Sequence, residues 1–145
     1  IVGDGELSSM LHNLADELGI KERTIFPGFR SDIKSMYSAF DIYAHTSVEG
    51  GGETFPYAML HALAQELPMV ITHVGDMPAM VEEGINGFVL EDKDIKGISE
   101  KIMLLCGNKK LRNEMGKKSY ELMLKKFTVD IMTSNIEKVY RKVLN

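Results

Sequence analysis

At 145 residues, with 44% apolar and 26% charged side chains, the chain has the size and composition of one ordinary globular domain, which excludes a disordered or fibrous protein. No apolar run is long enough to span a membrane, and the single cysteine, Cys106, excludes an internal disulfide and a cysteine metal cluster. The net charge of -4 hides an asymmetry: residues 1–100 carry 6 basic and 17 acidic side chains, and residues 101–145 carry 11 and 4.

The opening "IVGDGE" reads as the end of a strand, which suggests a piece of a longer chain. Residues 6–18 follow as a helix, with Leu7, Leu11, Leu14, Ala15 and Leu18 on one face and Gly19 as its stop. "RTIFPGF" predicts a short strand entering a Pro-Gly turn. "SDIKSMYSAF" predicts a helix capped by Ser31 or Asp32, with Ile33, Met36 and Tyr37 inward. "DIYAHTS" is the next strand, residues 56–66 a helix, and "PMVIT" a buried strand. "GDMPAMVEEG" predicts a loop and short helix, and "GFVL" a strand entered through Asn86-Gly87. Helices over about 94–106, 109–126 and 129–144 complete the chain. Strands alternating with helices, with no hairpin interval, predict an α/β fold: a doubly wound, Rossmann-like parallel sheet with helices on both faces.

In such a sheet, ligands bind at the carboxyl ends of strands and the N-termini of helices. Three glycine-rich loops are predicted there: "GDGE" at 3–6, "EGGGETFP" at 49–56 and "HVGDMP" at 73–78. The second leads into a helix near Pro56 that offers the amides of Tyr57, Ala58 and Met59 and a positive dipole end. It reads equally as a phosphate site or as a long surface turn whose glycines serve the backbone.

The stretch "ETFPYAMLHALAQELPMVIT" resembles the signature of retaining glycosyltransferases of family 4, two-domain enzymes with the GT-B fold. There the pattern is Glu-x7-Glu followed by Ala-Met-Ala-x-Gly-x-Pro-Val-Val. The likeness spreads through "IVGDGE", "IFPGF", "MYSAFDIYAHTSVEG", "VGDMPAMVEEGINGFVL" and "KKFTVDIMTSNIEKVYRKVL". It implies that residues 1–145 are the nucleotide-sugar (donor) binding domain, without the acceptor-binding N-terminal domain and without the first strand of this half. The implied reaction transfers a sugar, with retention, from a UDP- or GDP-linked donor to a glycan or lipid-linked acceptor. No cofactor beyond that co-substrate is implied, and no nucleic acid partner.

By this resemblance Glu53 is the catalytic carboxylate, facing the sugar hydroxyls and steadying positive charge at the anomeric carbon. Glu49 is its competitor, but Tyr57 stands eight residues on and fits no partner pattern. Thr54, Phe55, Pro56, Tyr57 and Ala58 match the turn whose amides meet the diphosphate, with Pro56 where the family usually has glycine. His61 falls where the second glutamate belongs, and offers the ribose one acceptor in place of a carboxylate's two oxygens. Gly3, Gly5, Phe29, Arg30 and Gly75 complete the implied donor contacts, Arg30 reading either as a border of the base or as an exposed residue. Ala79 replaces a common glutamate.

Other signals are weaker. Asp92 and Asp94 read as caps of the following helix rather than as a metal pair, and no metal is expected. His45, His61 and His73 end neighbouring elements and are candidates to converge. The ten methionines read as core packing. Cys106, in the apolar run "ISEKIMLLC", predicts a buried thiol, hence a reducing, cytoplasmic compartment. The basic tail reads as solvated helix faces or as contact with the inner face of a membrane. Two other readings stay open: a non-catalytic GT-B relative that binds nucleotide or a partner, and a nucleotide-sugar epimerase.

Overall fold

The computed structural model describes residues 1–144. The chain divides into two compact units, Ile1–Met36 and Tyr37–Asn145.

In the first unit, helix α1 spans Ser8–Glu17 and a 3-10 turn spans Lys21–Arg23. Gly19 takes φ +65° just past α1, and its amide and that of Ile20 bond back to Asp16 and Ala15. This is the left-handed stop that the glycine predicts. The two strands expected here, at "IV" and "RTIFPGF", do not form a ladder. The segments run side by side, with the Ile1 amine donating to Ile25 O at 2.7 Å and Gly3 N to Gly28 O at 3.0 Å. Pro27 supplies no amide between these contacts, so regular pairing stops.

Helix α2, Ile33–Ser38, runs through the point where the units divide. The second unit then alternates strands and helices: β1 Tyr43–His45, α3 Tyr57–Ala64, β2 Met69–Thr72, a 3-10 turn Met77–Met80, β3 Gly87–Leu90, α4 Ile95–Gly107, α5 Lys109–Lys126 and α6 Val129–Leu144. The sheet is parallel throughout, in the order β1-β2-β3, with Tyr43 opposite Met69 and Met69 opposite Gly87.

All four residues of β2 are buried, because both faces of the sheet are covered. Met69 and Ile71 join Met59, Leu63, Met77 and Met80 on one side. Val70 joins Phe88, Leu105 and Met115 on the other. This is the two-sided packing that the alternating pattern predicts. Ser119 of α5, fully buried, donates to Leu67 O at 2.7 Å and ties that helix to the entry of β2. Asn86 plays the same part before β3, accepting from Glu82 N and donating to Met80 O.

Methionine is core at Met59, Met69, Met77, Met80 and Met115, whereas Met10, Met103 and Met132 are exposed. Cys106 is exposed, against the buried thiol predicted. Leu105 takes the inward position on α4, and one residue further the helix has turned by about 100°, so the next side chain faces water. The compartment inferred from a buried thiol loses that support.

Candidate active site

The loop from β1 to α3 holds Glu53 at the carboxyl edge of the sheet. Gly50 and Gly52 take φ +82° and +76°, so the run bends back upon itself before the helix. Pro56, buried, is the N-cap of α3 with extended backbone, and Tyr57 begins the helix. Of the three amides expected to be open, that of Met59 bonds Pro56 O at 3.0 Å. The free end of α3 therefore consists of the Tyr57 and Ala58 amides, with the helix dipole behind them. Phe55 leans on Phe127 at the end of α5, with ring centroids 5.9 Å apart, which anchors the turn from below.

Glu53 is held by two donors on a single oxygen. His45 Nε2 lies 3.0 Å from Oε2 and Ser47 Oγ 3.4 Å from it. The other imidazole nitrogen, Nδ1, lies 2.7 Å from the Tyr43 hydroxyl. Burial, with Tyr37 and the Glu53 charge adding to it, pushes the Tyr43 phenol well above its ordinary range, so it stays protonated. Tyr43 stacks on Tyr37 at 5.9 Å. Thr72, at the end of β2, donates to Ser47 O at 2.6 Å and fixes the start of the loop.

The third glycine loop closes on the second. Asp76 N donates to Thr54 O at 2.9 Å, and Gly75 sits against the backbone of Glu53 and Thr54. The structure thus brings together Glu53, Thr54, Phe55, Pro56, Tyr57, Ala58 and Gly75. His61 lies further along α3, exposed, with its ring 5.7 Å from that of Tyr37. The three histidines predicted to converge have different partners: His45 engages Glu53, His61 meets Tyr37, and His73 is exposed. Glu49 is exposed, and its amide is bound by the Asp92 carboxylate at 3.2 Å. Asp92 is therefore a loop tether and not a cap, while Asp94 caps α4 by accepting from Gly97 N at 2.9 Å. Among the described residues, no group of three or more histidine, cysteine or acidic side chains is placed to hold a metal.

Gly3 and Gly5 belong to the first unit. They line an open cavity of about 450 Å³ with Asp4, Ser8, His12 and Phe26. Phe29 is 82% exposed. Arg30 forms a two-pronged pair with Asp32, at 2.7 and 2.6 Å, which raises the guanidinium's proton affinity and holds the Asp32 carboxyl below its ordinary range. Both oxygens of Asp32, one of the two caps predicted for α2, accept from Arg30.

Sequence reasoning named Glu53 but missed the group that holds it. Tyr43 and His45 stand two apart on a strand, so their shared face was legible. Nothing in the spacing shows that the loop returns Glu53, eight positions on, to His45.

A two-faced parallel sheet with a carboxylate-bearing glycine loop at its carboxyl edge has the architecture of the GT-B glycosyltransferases. The chain belongs to the family described as "Glycosyl transferases group 1", whose model matches residues 1–122. It is 26% identical over 144 residues to the N-acetyl-alpha-D-glucosaminyl L-malate synthase of Bacillus anthracis, covering 99% of this chain and 37% of that protein. It is 28% identical over 141 residues to the UDP-Gal:alpha-D-GlcNAc-diphosphoundecaprenol alpha-1,3-galactosyltransferase of Escherichia coli, covering 97% and 35%. Its backbone matches the crystal structure of Anabaena Alr3699/HepE in complex with UDP, with a TM-score of 0.88 and 25% identity over 97% of this chain and 40% of that one. The chain thus spans well under half the length of these relatives. No helix among the described residues is long and apolar enough to cross a membrane.

Proposed function

We propose that this chain is the donor-binding part of a retaining glycosyltransferase that uses a nucleotide sugar, with UDP the first candidate carrier. The observation that carries the reading is Glu53, held at Oε2 on a loop that runs without interruption into the open amides of α3. The diphosphate lies at the Tyr57 and Ala58 amides, and the sugar beside Glu53. When the bond from the anomeric carbon to the diphosphate breaks, its electron pair leaves with the phosphate, where the helix amides stabilise it. Glu53 offers negative charge to the positive anomeric carbon. The incoming acceptor hydroxyl gives its proton to the departing phosphate and forms the new bond on the same face. The UDP bound by the Anabaena protein, and the UDP-Gal in the name of the Escherichia coli relative, support this choice of donor. The acceptor is a glycan or a lipid-linked sugar, and the basic surfaces of α5 and α6 suit the inner face of a membrane in the cytoplasm.

His61 favours a second reading, a nucleotide-binding module without turnover, because a neutral imidazole gives the ribose fewer contacts than a carboxylate. Titration with UDP, GDP and ADP, followed by amide shifts, tests the site. Binding of UDP by this chain is expected near about 1 mM, with movement in the second unit concentrated at residues 53–61 and Gly75. His61→Glu should tighten it by about tenfold. Shifts at Gly3, Gly5, Phe29 and Arg30 test the proposed donor contacts of the first unit separately. If none of the three nucleotides moves residues 53–61, the donor site is not here.

A further inference from the structure

The loop carboxylate at the centre of the proposed site does not stand alone. An ionised carboxylate only accepts hydrogen bonds, so the His45 Nε2 that lies 3.0 Å from Glu53 Oε2 must carry a proton. In a neutral imidazole with that proton, Nδ1 is an acceptor. The buried Tyr43 hydroxyl, protonated and 2.7 Å away, is the donor that fits it. A Tyr43 hydroxyl that donates to Nδ1 and a carboxylate that accepts from Nε2–H are served by one and the same neutral tautomer. Tyr43 and His45 share one face of β1, the strand is paired to β2 along its length, and Tyr43 is wedged against Tyr37. A rigid strand thus reaches a loop that closes one turn of its own, Gly51 N donating to Val48 O at 3.1 Å, but belongs to no ladder.

We propose that His45 is a positioning residue for Glu53: its Nε2–H, with Ser47 beside it, fixes Oε2 and turns Oε1 toward the donor sugar. The inference rests on the reading of Glu53 as the carboxylate that faces the sugar. A glutamate on a free loop samples several rotamers, and each wrong one costs turnover without costing nucleotide affinity. A clamp on one oxygen removes that loss, because the remaining oxygen then has one direction. The contribution of His45 therefore falls on kcat and leaves the binding of the nucleotide unchanged.

The test uses the full-length protein, with turnover read as UDP release from UDP-glucose, UDP-galactose or UDP-N-acetylglucosamine. His45→Phe keeps a ring and removes both nitrogens; kcat is expected to fall about tenfold, with KM and the affinity for UDP within about twofold of the parent. His45→Gln restores an amide donor at similar reach and should return kcat to within about threefold. Nitrogen-15 spectroscopy of the imidazole should show the Nε2–H tautomer in the parent. Parental kcat in His45→Phe, loss that glutamine does not restore, or an Nδ1–H tautomer in the parent would each overturn the proposal. Should His45→Phe not fold, the glutamine variant and the tautomer measurement decide the matter. Glu53→Gln separates the two levels of inference. If it loses turnover while His45→Phe does not, only the positioning role fails. If neither loses turnover, the reading of Glu53 fails as well.

Discussion

Replacing Glu53 with glutamine in the full-length protein is expected to lower nucleotide-sugar turnover by more than about tenfold, a loss of at least about 1.4 kcal/mol of transition-state stabilisation. Glutamine keeps the length and shape of the side chain, and its carbonyl oxygen still accepts from His45 and Ser47 at the Oε2 position. What disappears is the negative charge that the proposed site sets beside the anomeric carbon. Because that carbon is most positive in the transition state, the loss falls on kcat more than on KM. Thermal unfolding should be close to that of the parent. Glu49→Gln is the control: Glu49 is exposed and its loop is held through its amide, which the substitution keeps. Its turnover should stay within about twofold of the parent. Parental rates in Glu53→Gln, with loss in Glu49→Gln, would move the catalytic assignment to Glu49.

Gly75→Ala is expected to destabilise the fold by about 2–4 kcal/mol and to lower turnover with it. Two effects combine. Gly75 holds φ +54°, a conformation that costs a residue with a Cβ about 1–2 kcal/mol. A Cβ at this place would also overlap the Glu53 carbonyl oxygen and stand 3.0 Å from that of Thr54. Both neighbours are backbone, so neither can swing aside as a side chain would. The loop must move, and with it the Asp76 to Thr54 bond and the direction of Glu53. Gly52→Ala separates the terms, since Gly52 holds φ +76° with open space where the Cβ would go. It should cost only the backbone part, about 1–2 kcal/mol by denaturant titration. Equal losses in the two variants would show that the packing of Gly75 against Glu53 contributes nothing.

Long periodic elements were legible in the sequence. Helix α5 and the strand "GFVL" fall where apolar spacing predicts them, because each buries a regular stripe or a short run, and α6 forms where its spacing predicts although none of its described residues is buried. Elements that depend on neighbours were less so. "IV" and "RTIFPGF" have strand composition, but a strand exists only when its amides find a partner ladder, and composition is silent about the partner. The candidate site divides in the same way. Glu53 and the start of α3 follow from a local motif. The amide that Met59 spends on Pro56, the Asp92 tether and the His45 clamp depend on where a loop returns, and glycines at positive φ leave that return open. Cys106 shows a different limit, since a run of apolar residues near a helix end continues past the width of the face that is buried.

The floor beneath the site has a chemical consequence. Met59 of α3 lies in one cluster with Met69, Met77 and Met80, all four fully buried, while Met10, Met103 and Met132 stand in water. Oxidation of a thioether to the sulfoxide places a polar, chiral group where only carbon and sulfur have been. Peroxide can therefore reach the outer three directly, but the inner four only when the unit opens. Their oxidation is a clock for that opening, and it also wears the fold: one oxygen added beneath α3 puts a polar group in the helix's apolar floor, in a chain whose outer methionines take up oxidant first.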